Sequence, residues 1–145
     1  AGNSRRFGGN KLLYEIDGNP MYRYILERLI AVAGAGGQGK EVSSCVLETG
    51  SLKNIKQEMT VTVVTQYEEI EEEARALGVP VYINPHPDEG ISSSLKIGLK
   101  ANLDADACLF TVSDQPWLTA GTIRQLITLL ETTGKGIACV SSGDD

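Results

Sequence analysis

Segments of helical and of strand character take turns along this chain, and few folds accept such an order. "MYRYILERLIAVAG" (21–34) places apolar side chains at helical spacing, with Pro20 expected in its first turn and Gly34 as its expected stop. "TVTVVTQ" (60–66) is β-branched up to Gln66 and reads as a buried strand. "YEEIEEEARALG" (67–78) is a helix whose acids favour the positive end of its dipole, closed by Gly78. "VPVYINP" (79–85) is a second strand, and "ISSSLKIGLKANL" (91–103) is a helix expected to be capped by a serine. "DACLFTVSDQP" (106–116) reads as a third strand ending at Ser113-Asp114. "TAGTIRQLITLLETTG" (119–134) is a helix capped by Thr119, and "KGIACVSS" (135–142) begins a fourth strand. This order implies an α/β sandwich with a mainly parallel sheet.

The 145 residues fit a single domain, 1–145, with 41% apolar and 22% charged side chains. A net charge of -6 argues against nucleic acid or a membrane surface as partner, since binding a polyanion relies on a basic face. The cysteines, Cys45, Cys108 and Cys139, have no CxxC spacing, and the last two sit in apolar runs as expected buried hydrophobes. A reducing cytoplasm is the expected compartment. No uncharged apolar stretch of membrane-spanning length and no secretory signal pattern occur.

Against that acidic balance, "AGNSRRFGGNK" opens the chain with three cations and no acid before Glu15. It lacks the Gly-Lys-Ser/Thr of a P-loop and the Gly-x-Gly-x-x-Gly of a dinucleotide site. Gly2, Gly8 and Gly9 permit a backbone that turns N–H groups toward a ligand, and Arg6 and Lys11 add positive charge suited to phosphate oxygens. The bland reading is a basic surface turn. Ligands of parallel α/β sheets sit beyond the carboxyl ends of the strands, where Asp114 falls and where the opening loop also falls if a strand precedes it, so the two stretches are expected at one crevice. Asp114 is either a turn former or a carboxylate holding Mg²⁺ beside bound phosphates. "DEGISSSLKIGL" (88–99) opens a helix with Gly90, Ser92 and Ser93, which either cap it or meet a nucleobase or ribose. His86, the sole histidine, reads as a loop residue, and the glutamates of 68–73 read as a solvated face.

Together, "AGNSRRFGGNK", "GISSSLKIGL" and "SDQPWLT" resemble the nucleotidyltransferases of the MobA-like family, and within it the MocA-type molybdenum cofactor cytidylyltransferases. The family opening is Leu-Ala-Ala-Gly-x-Ser-x-Arg-Met-Gly-x-x-Lys, matched here from its second Ala with Phe7 in place of Met. The resemblance implies a three-layer α/β/α sandwich with a Rossmann-like, mainly parallel sheet of the nucleotide-diphospho-sugar transferase type. It implies transfer of CMP from CTP to the phosphate of molybdenum-molybdopterin, with a molybdenum hydroxylase receiving the product. Arg6 and Lys11 would neutralise the triphosphate, and Asp114 would bind Mg²⁺. Ala1, Gly2, Ser4, Gly90, Ser92 and Ser93 would lie near the nucleoside. Asp114-Gln115-Pro116, where guanylyl-transferring relatives carry Asp-Met-Pro, points to CTP.

Family members run longer, so a first strand before Ala1 and a second metal-binding acid beyond Asp145 are expected outside these residues. The stretch 34–58 is longer than a usual helix-to-strand link and is read as an inserted loop. Two rival functions stay open: nucleotidyl transfer to a sugar or polyol phosphate, and nucleotide binding without turnover in cofactor delivery.

Overall fold

Asp17 and Gly18 both take positive φ, 50° and 79°. A two-residue hairpin turn of type I′ demands that backbone at both central positions. In the computed structural model, which describes residues 10–37 and 59–141, the turn joins β1 (Glu15–Ile16) to β2 (Asn19–Pro20) in antiparallel register. A 3₁₀ turn over Lys11–Leu13 precedes the hairpin, and the Asn10 side chain caps it by accepting from the Leu12 N–H at 3.1 Å. Pro20 ends the hairpin, and helix α1 (Met21–Gly37) starts directly after it. Gly34 does not stop α1. A glycine ends a helix by adopting a left-handed backbone, and Gly34 is not among the positive-φ glycines.

Strand β3 (Val63–Thr65) pairs in parallel with β4 (Val81–Ile83), Val63 opposite Val81 and Thr65 opposite Ile83. Parallel neighbours need a crossover, and helix α2 (Glu68–Ala76) supplies it. Helices α3 (Ile91–Ala101) and α4 (Ala120–Thr133) follow. Both ends of α4 are sealed: Thr119 Oγ1 caps the start as the sequence suggests, accepting from the Thr122 N–H at 3.1 Å, and Gly134 turns left-handed at φ 61° at its close.

Adjacent strand residues point to opposite faces, and each face of the β3–β4 pair meets helices. Val63 and Val81 pack against a cluster of Tyr22, Leu26, Ile70, Ala74 and Val79 from α1, α2 and the lead into β4. Val64 turns the other way, toward α3. A Cβ added at Gly98 would lie 3.6 Å from Val64 Cγ2 and 3.7 Å from the Phe110 ring, so glycine there lets α3 settle closely on both. A second cluster of Ile25, Val32 and Ile123 joins the far side of α1 to α4. Helix α1 is thus apolar on two faces because it packs on two partners. Each such side chain contributes about 1.5–3 kcal/mol when fully buried.

The expected third and fourth strands form no ladder among the described residues. Residues 107–112 and 137–140 lack strand pairing, with Phe110 49% and Ile137 86% exposed. A β-branched run becomes a strand only when another backbone meets its N–H and C=O groups, and among the described residues β3 and β4 meet only each other. The mainly parallel sheet is therefore present here as a pair. For the same reason Cys108 is only half-buried and Cys139 is exposed, against the expectation that both are buried. Among the α2 glutamates, Glu73 is no member of a solvated face, since it accepts from the Tyr22 hydroxyl and pairs with Arg23 at 3.3 Å. The expected insertion lies, past Gly37, outside the described residues up to Met59, as does Cys45. No helix among the described residues is long and apolar enough to cross a membrane.

Candidate functional site

Two polar arrangements stand out among the described residues, one at the end of the parallel pair and one between the two ends of the sequence. At the first, β4 runs into Asn84, a buried side chain with every polar group engaged. Its N–H donates to Thr65 O at 2.7 Å, and its Oδ1 accepts from the His86 N–H at 2.9 Å. Its Nδ2 donates to Ser93 Oγ at 2.8 Å and to Ser94 Oγ at 2.9 Å. Ser93 Oγ lies 2.9 Å from both His86 O and Gly90 O, so its own proton stays inside the corner.

The start of α3 differs from the serine cap expected there. Gly90 occupies the cap position at φ 84° and ψ -167°, a region open essentially to glycine alone, and no side chain caps the helix. Ser93 is buried and braces the turn from within, while Ser92 is exposed and reaches Glu89 O at 3.3 Å. The sequence missed Asn84; its one signal was a polar residue directly after an apolar strand.

The second arrangement brings Lys11 and Asp114 together. Lys11 Nζ donates to Asp114 Oδ2 at 2.9 Å, with the two side chains 37% and 42% exposed. The topological argument expected both at one crevice, and here they touch. Lys11 is held by the Asn10-capped turn. Asp114 lies in a tight turn, and the Leu118 N–H donates to Gln115 O at 3.2 Å just beyond it. Arg28 of α1 reaches this turn, its Nη1 donating to Pro116 O and, at 3.0 Å, to Leu118 O. Nothing in the local pattern of α1 announced that role.

Among the described residues, two buried amide nitrogens have no protein partner: Asn10 Nδ2, adjoining Lys11, and Gln66 Nε2, directly after β3. No hydrogen bond links Gly90, Ser92 or Ser93 to Lys11 or Asp114 among the described residues. Ala1, Gly2, Ser4 and Arg6 lie outside those residues.

Among the described residues no group of three or more His, Cys, Asp or Glu is arranged to hold a metal. Asp114, a half-exposed carboxylate paired with Lys11, is an oxygen donor of the kind used by a cation that takes most of its ligands from phosphates and water. Mg²⁺ binds in that way.

Comparison with curated proteins returns no match. The model of one family, the MobA-like NTP transferase domain, matches residues 1–145. That family handles nucleoside triphosphates and carries nucleotidyltransferase activity. With a match over all of its residues, the chain belongs to the MobA-like NTP transferase domain family.

Proposed function

We propose that this protein transfers CMP from CTP to the terminal phosphate of molybdenum-molybdopterin and releases pyrophosphate, in the manner of the MocA-type enzymes. The single observation that carries the reading is the 2.9 Å contact between Lys11 and Asp114. It brings a lysine and a carboxylate far apart in sequence to one place, where the lysine can turn to a phosphate and the carboxylate to its counter-cation. The motif Asp114-Gln115-Pro116 supports cytosine as the base. The helices on both faces of the β3–β4 pair support a three-layer sandwich of the nucleotide-diphospho-sugar transferase type.

In this reading an oxygen of the acceptor phosphate attacks the α-phosphorus of CTP. One P–O bond forms, the bond from the α-phosphorus to the bridging oxygen breaks, and pyrophosphate takes the electron pair. Arg6 and Lys11 neutralise the charge that builds on the phosphates. Asp114 would hold Mg²⁺, which supplies further neutralisation of the triphosphate when bound. Ala1, Gly2, Ser4, Gly90 and Ser92 border the nucleoside, and Ser93 braces the Gly90 turn through its internal hydrogen bonds. The product passes to a molybdenum hydroxylase in the cytoplasm.

The test is pyrophosphate release from each of the four nucleoside triphosphates with Mg²⁺ and a molybdopterin source. Release with CTP is the expected result. Release with GTP alone overturns the base assignment, and release with a sugar or polyol phosphate but not with molybdopterin overturns the acceptor. Tight CTP binding without release identifies a nucleotide-binding protein of cofactor delivery.

A further inference from the structure

Helix α1 touches the segment that follows Lys11 and the segment that follows Asp114 through one pair of side chains. Tyr24 and Arg28 stand one helical turn apart and so share a face of α1. The Tyr24 hydroxyl donates to Ile16 O at 2.5 Å, in the hairpin that follows Lys11. The Arg28 guanidinium donates to Pro116 O and Leu118 O, in the turn that follows Asp114. The two side chains also meet each other, with Arg28 Cζ 5.8 Å from the centre of the Tyr24 ring. A continuous run of contacts thus leads from one lip, through a rigid helix, to the other.

We infer that Tyr24 and Arg28 are positioning residues that set the separation of Lys11 and Asp114. Neither touches the reacting groups; each acts through the backbone of one lip. The geometry explains why arginine stands at position 28. One guanidinium nitrogen serves both carbonyls while the planar group lies near an aromatic ring, and a lysine ammonium, which can also donate to carbonyls, lacks that flat delocalised group. The inference rests on nucleotidyl transfer at Lys11 and Asp114 only where turnover is the readout.

Arg28→Lys keeps the charge and the aliphatic stem, and Tyr24→Phe keeps the ring while deleting the bond to Ile16. Two measurements are made on each purified variant. The first is the backbone amide resonances of Lys11 and Asp114, by heteronuclear NMR without nucleotide. The second is pyrophosphate release from CTP as Mg²⁺ and CTP are varied in turn. Arg28→Lys is expected to move the Asp114 signal and to raise the half-saturating Mg²⁺ on the order of tenfold, since small displacements of a reacting constellation are costly. Tyr24→Phe is expected to move the Lys11 signal and to raise the KM for CTP more than the half-saturating Mg²⁺.

Folded variants with Lys11 and Asp114 signals at their wild-type positions overturn the inference, as does an unchanged Mg²⁺ requirement in Arg28→Lys. If Arg28→Lys does not fold, Tyr24→Phe decides by the Lys11 signal and the KM. If the wild-type protein releases no pyrophosphate from any triphosphate, the proposed reaction fails, and the resonances alone decide the positioning role.

Discussion

The Lys11–Asp114 contact and the Asn84 corner are both polar, and they are built on opposite terms. Asn84 and its serine partners are close in sequence, buried at Asn84 and Ser93 and partly so at Ser94, and bonded to one another and to the backbone. Lys11 and Asp114 are far apart in sequence, half-exposed, and joined by one ion pair. Burial without partners is expensive, so the corner has to be saturated to exist at all. An exposed ion pair is worth only about 0–1 kcal/mol, so the fold does not depend on it and a ligand can exchange it cheaply. The first region is scaffold. The second is free to serve chemistry.

The sharpest way to break that contrast is to remove its exposed half. Lys11→Ala and Asp114→Ala are each expected to lower pyrophosphate release on the order of a hundredfold or more, as loss of a group that stabilises transition-state charge does. The melting temperature of each is expected to stay within a few degrees of wild type, roughly the yield of an exposed pair. Rates and melting curves on the same preparations check both halves. Wild-type turnover in either variant removes that residue from the mechanism.

The buried half is expected to answer in the opposite currency. Asn84→Ala strands the His86 N–H and withdraws the donor that Ser93 and Ser94 share. A loss of about 1–3 kcal/mol follows from unmet polar groups in such a setting, and thermal unfolding reads it directly. Turnover per folded molecule is expected to change far less than in Asp114→Ala. A stable Asn84→Ala protein with abolished turnover would invert the assignment of scaffold and site.

How much of this was legible depends on the range of the interactions. Helix α4 was readable from Thr119 to Gly134 because both ends are sealed by residues adjacent to it, and α2 was readable because its acids and Gly78 are local signals. The meeting of Lys11 with Asp114 was expected from topology, yet the strand meant to carry Asp114 forms no ladder among the described residues. Residues 107–112 have the composition of a strand, yet a ladder needs a second backbone, and composition does not name it. Ser93 looked like a cap or a ligand contact because serine at a helix start does either. Its place was settled by Gly90 taking the cap and by Asn84 arriving from β4. Arg28 was invisible for the plainest reason: its partners are two carbonyls on a distant loop, and carbonyls leave no mark in a sequence.

Between the two extremes lies a contact that is buried on one side and charged on the other. The Tyr22 ring is part of the core, while its hydroxyl donates to Glu73, which also pairs with Arg23. Burial first, then the hydrogen bond and negative charge of Glu73, hold the Tyr22 phenol well above the usual tyrosine range. Below about pH 10 the phenol is neutral in both folded and unfolded chains, and its contribution to stability is fully present. Above that pH the unfolded chain releases the proton while the folded chain keeps it, so this contribution falls as pH rises. Tyr22→Phe keeps the ring, gives up one charge-assisted hydrogen bond worth about 1.5–3 kcal/mol at most, and cannot titrate. The stability gap between wild type and Tyr22→Phe is therefore expected to be modest at neutral pH and to narrow above about pH 10. Denaturant unfolding of both proteins across that range isolates the residue, because the remaining tyrosines titrate in both. A gap that stays constant would mean that the buried hydroxyl ionises as freely in the folded protein as in water, and that this contact belongs with the exposed pair rather than with the corner.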